Sequence, residues 1–203
     1  MPEPYNPLDK INLGKSVVDA LLEQTSIRLS SLSSFSGAGI YALYYDGTFP
    51  AYQPISRNPD GKDAIPIYAG KAVPAGARKG ASPISSNTTN ALWRRIAEHR
   101  DTIAEIERGS ASLKLEDFSV RYLAVDDIWI PLGESLLIST FNPVWNRVID
   151  GFGNHDPGAG RYSGLRPLWD VLHPGRSWAP KCKERPETVE QIMERIADYF
   201  QAS

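Results

Sequence analysis

"SFSGAGIYALYYDG", residues 34–47, sets a Gly-Ala-Gly run ahead of Ile-Tyr-Ala-Leu-Tyr-Tyr and closes on Asp46-Gly47. An aromatic-rich apolar run bounded by glycines and a turn pair reads as a strand, here residues 38–45. Tyr41, Tyr44 and Tyr45 place three hydroxyls on that strand. A buried tyrosine hydroxyl needs a partner, so the strand carries either unusual packing or chemistry.

Working outward, residues 9–30 open on Asp9 and carry Ile11, Leu13, Val17, Val18, Leu21, Leu22 and Ile27, the spacing of an amphipathic helix. Downstream, residues 46–64 form a long loop, and a loop of that length in a compact fold is often functional. "AIPIYA", residues 64–69, reads as a second strand, at a sheet edge because of Pro66. Residues 72–88 are a Gly-, Ser- and Lys/Arg-rich loop, 90–107 a helix, 118–125 a third strand, and 131–142 a helix with proline near its start. Residues 150–180 are Gly/Pro-rich, and 186–201 form a last helix. The expected fold is α/β (α+β): a small three-stranded, mainly antiparallel sheet flanked by helices, in one domain over 1–203. Within it lie an N-terminal helix at 9–30, a core at 36–147, inserted loops, and a C-terminal arm at 148–203.

The composition is globular, with 41% apolar and 23% charged residues, enough for a core without staples. A single cysteine, Cys182, excludes an internal disulfide and fits a reducing compartment, so a cytoplasmic location is expected. No apolar run is long enough to span a membrane, and the first residues do not read as a signal peptide. The net charge of −2 hides an asymmetry. Residues 57–100 hold eight Lys/Arg and three Asp/Glu, and residues 101–135 hold three and eight. Solvated faces explain such blocks, and so does a polyanion held beside a metal site.

Gly39-Ile40-Tyr41, Tyr68-Ala69-Gly70, Arg95, His99, Glu134 and Asn146 occur in that order on strand, strand, helix and helix. Each piece alone is weak, but the ordered set resembles the GIY-YIG nuclease superfamily over residues 36–147. The length, the N-terminal helix and the Gly/Arg-rich C-terminal arm are similar to its type II restriction endonuclease branch. Two departures stand out. Ala69 replaces the family's isoleucine, a packing change, and the stretch between the two tyrosine motifs is longer than the family's usual hairpin, which reads as an inserted loop.

The resemblance implies sequence-specific, Mg²⁺-dependent hydrolysis of phosphodiester bonds in double-stranded DNA, with one Mg²⁺ per active site. It implies that Tyr41 and Tyr68 bring hydroxyls to the active face. A free tyrosine titrates near about 10, so Tyr41 needs help to accept a proton from water, from His99 or Lys71. Which of the three accepts it first stays open. Arg95 and His99, four apart, share a helix face, and the arginine fork matches phosphate oxygens. Arg94 is adjacent but turned away. Glu134 is the metal ligand candidate, since Mg²⁺ keeps most of its waters. Asn146 orients the site by hydrogen bonds, with Asn142 its competitor. His155, His173 and Cys182 match no usual zinc spacing, and Gly151, Gly153, Gly158 and Gly160 read as flexible loop rather than a phosphate loop.

Sequence readout falls to loop cations: Arg57, Arg78, Lys79, Arg161, Arg166 and Arg176. Arginine reads guanine by two hydrogen bonds, which suits a GC-rich palindrome. The restriction branch resembled here acts on CCGCGG-type sites. A palindrome implies a homodimer, and a restriction enzyme implies a cognate DNA methyltransferase. The alternatives are a homing or repair-type GIY-YIG nuclease, which usually carries a separate DNA-binding domain, a catalytically silent DNA-binding module, or a protein whose tyrosines only pack.

Overall fold

The computed structural model describes residue 6 and residues 8–56, 64–74 and 89–202. Helix α1 (Lys10–Leu22) starts at Asp9, whose carboxylate accepts the Ile11 N–H at 2.8 Å, an N-cap satisfying one of the helix's orphan donors. Then follow β1 (Ile27–Arg28), β2 (Gly39–Tyr45), β3 (Tyr68–Ala72), α2 (Ala91–Gly109), β4 (Phe118–Ala124), α3 (Ile130–Phe141), α4 (Val144–Arg147), α5 (Leu168–Leu172) and α6 (Val189–Ala202). The strands form one antiparallel sheet in the order β1-β4-β2-β3. All seven residues of the central β2 are buried.

Strand alternation sends β2 side chains to two different cores. Tyr41, Leu43 and Tyr45 join Phe118, Val120 and the apolar stripe of α2 on one face. Ile40, Ala42 and Tyr44 join Val18, Leu21, Ile130 and Leu137, from α1 and α3, on the other. The α2 stripe is Leu92, Ile96, His99, Ile103 and Ile106, at spacings of four and three. That periodicity carries His99 into the core along with its apolar neighbours. Phe152, Leu168, Trp169, Leu172, Ile192 and Ile196, from the segment expected as a trailing arm, fill the same core beside Trp145.

Three differences from the sequence reading have physical causes. The first helix stops at Leu22 rather than residue 30, because Ile27 and Arg28 leave it to pair with Val120 and Ser119 on the open side of β4. This adds a fourth strand. The β3 strand is shifted to Tyr68–Ala72, beyond Pro66, which cannot donate to a ladder. It does lie at the sheet edge. Helix α3 ends at Asn142, left-handed at φ 45°, before Pro143, so Asn142 is a helix terminator. Helix α1 lays Gly14 against Leu132 and Leu136 of its own α3. Arg57, Arg78 and Lys79 lie outside the described residues.

Candidate active site

The two motif tyrosines share a face because the register pairs Tyr41 with Gly70 and Leu43 with Tyr68. A Cβ at residue 70 would run into the Tyr41 ring and hydroxyl. The glycine of the second motif is therefore the space in which the first motif's phenol lies. The two rings stand 6.2 Å apart. Ala69 points the other way, into the α1/α3 core.

Tyr41 Oη lies 2.6 Å from His99 Nε2, and either can be the donor according to the imidazole tautomer. Phe152 stacks on the imidazole at 4.5 Å and 16°. Burial, reinforced by Tyr68, holds the Tyr41 hydroxyl well above its ordinary range, with Arg95 opposing. Burial, reinforced by the positive charge of Arg95, holds His99 well below its ordinary range. Tyr68 is also raised by burial. Near neutral pH the pair is thus a phenol beside a neutral imidazole. The other tyrosines of β2 pack: Tyr45 accepts the Phe49 N–H at 2.9 Å, and Tyr44 lies under the Arg121 guanidinium.

Arg95 reaches the same place from α2. Its Nη1 donates to Glu98 Oε2 at 3.0 Å and to His155 Nε2 at 2.9 Å, and its Nη2 donates to the Gly153 carbonyl at 3.0 Å. Arg94 is exposed. Around the sheet edge, Lys71 of β3 and Glu134 of α3 pair at 2.6 Å. A groove of about 370 Å³ runs from Lys71 past Arg94 and Arg95 to His155. Asn146 braces that edge: its Oδ1 accepts the Ala69 N–H at 2.8 Å and its Nδ2 donates to the Ala69 carbonyl at 2.9 Å. It holds β3, the strand that carries Tyr68 and Lys71, as a further strand would.

The expected DNA-reading arginines do not share one environment. Arg161 is exposed beside a groove of about 490 Å³. Arg166 is half-buried and donates to the Ala179 carbonyl at 3.1 Å. Arg176 is not an open loop cation. It is 2% exposed, pairs with Asp170, and lies between the Trp169 and Trp178 rings. A buried guanidinium demands such compensation, and in this fold it leaves no face for DNA.

The sequence reading missed Glu98, His155 and the 151–155 loop. His155 stood out only as a zinc candidate, and nothing in its local sequence links it to Arg95. The loop, read as flexible, is held: Arg176 takes the carbonyls of Gly151, Phe152 and Asn154, at 2.9, 3.3 and 2.9 Å. His173 and Cys182 lie elsewhere, the former bonded to Tyr52 at 2.6 Å and the latter packed with Trp178.

Residues 33–200 match the family described as the Eco29kI GIY-YIG domain, so the likeness runs past Asn146 and through the 151–155 loop to α6. No curated protein matches the chain. Among the described residues no helix is long and apolar enough to cross a membrane. With its motif tyrosines, Arg95 and His99 gathered at one edge of a small antiparallel sheet, the chain belongs to the Eco29kI GIY-YIG domain family, a type II restriction endonuclease branch of the GIY-YIG nucleases.

Proposed function

We propose that this restriction-type nuclease cuts double-stranded DNA at a defined site, in a Mg²⁺-dependent reaction carried by Tyr41, Tyr68, Lys71, Arg95, His99, Glu134 and Asn146. The observation that carries the reading is the 2.6 Å contact between Tyr41 and His99 beside Arg95. A preformed phenolate is disfavoured, because burial raises the Tyr41 hydroxyl. The pair instead works as a relay. Water gives its proton to Tyr41 Oη as the phenol's own proton passes to His99 Nε2. The hydroxide oxygen bonds to phosphorus, the bond to the 3′ oxygen breaks, and the departing 3′ oxygen takes a proton from solvent water. The phenol stays neutral throughout, and the positive charge on His99 forms as the phosphorane gains negative charge. Arg95 supplies the fork for that charge. Lys71, engaged with Glu134, serves the phosphate side rather than the proton relay.

Nucleases of this superfamily generally use a divalent metal. Among the described residues no three His, Cys, Asp or Glu side chains are grouped. Glu134, paired with Lys71 at 2.6 Å, is the carboxylate we assign to the ion, and a single carboxylate suits Mg²⁺ with its waters and phosphate oxygens. Bound there, the ion would neutralise charge building on the phosphate. We further propose a homodimer acting on a GC-rich palindrome such as CCGCGG, with Arg57, Arg78, Lys79 and Arg161 among the DNA contacts and a methyltransferase protecting the same site. The test is digestion of a sequenced plasmid with Mg²⁺ or EDTA, beside Tyr41→Phe, followed by sequencing of the ends. Discrete Mg²⁺-dependent fragments that vanish with Tyr41→Phe are expected. Uncut DNA across plasmids of varied sequence would overturn the reading.

A further inference from the structure

Four consecutive carbonyls, from Gly151 to Asn154, accept from two arginines: Arg176 donates to three and Arg95 to that of Gly153. Arg176 is buried and fixed by Asp170 and two indoles. The loop is thus built against the site. Gly153 lets the loop lie close to the site, since a Cβ there would come within 2.9 Å of Arg95 Nη2 and 3.0 Å of Tyr68 Oη and push the guanidinium tip aside. The next exposed side chains are those of Asn154 and His155, and the His155 imidazole meets Arg95 Nη1. His155 lines both open grooves that Arg95 lines, of about 350 and 370 Å³, and a third of about 490 Å³ beside Arg161.

One anion already sits against both groups. Glu98 Oε2 lies 3.0 Å from Arg95 Nη1 and 3.6 Å from His155 Nε2. Its side chain is 48% exposed and that of His155 is 66% exposed, whereas the Gly153 carbonyl belongs to the fixed loop. A phosphodiester moving along the grooves meets this outer side of the guanidinium first. Two anions sharing one cation repel, so the carboxylate is the group that yields. The imidazole offers both a donor and an acceptor and need not leave.

Building on the nuclease reading above, we propose that His155 is a further phosphate-contact residue, forming with Arg95 a two-point clamp on a DNA phosphate. The Glu98 carboxylate holds that place in the free protein and is displaced by DNA. The 151–155 loop, anchored on Arg176, fixes the spacing of the clamp.

The test measures binding of a mixed-sequence DNA duplex by fluorescence anisotropy in EDTA, at several salt concentrations, and single-turnover cleavage in Mg²⁺. Wild type, Glu98→Gln, His155→Ala and His155→Arg are compared, with thermal melting as the control for folding. Glu98→Gln should tighten binding about fivefold and His155→Ala weaken it about fivefold, the scale of one exposed charge contact. His155→Arg should restore affinity and steepen its fall with salt, whereas His155→Ala, which removes an uncharged contact, should leave that slope unchanged. All four proteins should melt alike, since both side chains are exposed. Wild type that binds and cuts DNA, with Glu98→Gln and His155→Ala binding within error of it, would overturn the clamp and leave the nuclease reading standing. Wild type that neither binds with salt dependence nor cuts would overturn the nuclease reading, and the clamp with it.

Discussion

Replacing Asn146 by alanine separates a bracing residue from one that touches substrate. The amide makes two hydrogen bonds, both to Ala69, at 2.8 and 2.9 Å. Neutral hydrogen bonds contribute about 1 kcal/mol each, so the loss is about 2 kcal/mol, rising towards about 4 if water cannot reach the two orphaned groups. Ala69 is 1% exposed, which favours the larger figure. Tyr68 and Lys71 stand on the strand thus loosened, and misplacing a catalytic group by about 1 Å costs about 100-fold in rate. Asn146→Asp keeps the acceptor for the Ala69 N–H but turns a second acceptor towards the Ala69 carbonyl, so it should be no better than alanine. Urea unfolding gives the stability change and single-turnover cleavage gives the rate. Asn146→Ala with wild-type stability and abolished cleavage would refute the bracing role and make Asn146 a substrate contact.

Other outcomes follow from the same geometry. His173 is buried and held down to about 3 from an ordinary 6.5. Its stabilising contribution is therefore full above about pH 6.5 and lost progressively as pH falls towards about 3, or about 2 kcal/mol at pH 5. His99 is lowered in the same direction, so urea midpoints should fall steeply below pH 6, while cleavage should show no acid limb near pH 6.5. Gly70→Ala drives a Cβ into the Tyr41 phenol and should cost about 1–3 kcal/mol, the range for overpacking, together with most of the cleavage. Arg176→Ala leaves Asp170 buried without its partner and should destabilise by about 3–5 kcal/mol. A surface DNA-reading arginine would instead lower DNA affinity at unchanged stability. Glu134→Ala should weaken Mn²⁺ binding measured by electron paramagnetic resonance, and unchanged affinity would count against ligation.

Much of this fold is legible in the sequence because its pattern is strong. The runs at 39–45 and 118–124 alternate between two cores, and the four- and three-residue spacing of Leu92, Ile96, His99, Ile103 and Ile106 defines both the helix and the inward turn of His99. The β3 strand is less legible because its sequence serves the site: Tyr-Ala-Gly-Lys-Ala is weakly strand-forming, and Gly70 admits Tyr41. A two-residue strand such as β1 leaves no periodicity to read. Arg176 and His155 show a different limit. Composition cannot separate a buried arginine from an exposed one, and their partners, Asp170 and Arg95, are brought to them only by the tertiary fold.

The relay between Tyr41 and His99 is tested most directly by single-turnover cleavage with Tyr41→Phe, His99→Ala and the double variant. General acid–base groups contribute about 100- to 10,000-fold, and groups that act as one unit are not additive. The double variant should therefore lose no more than the worse single variant. Multiplicative losses, or a Tyr41→Phe protein that cuts at the wild-type rate, would contradict the relay.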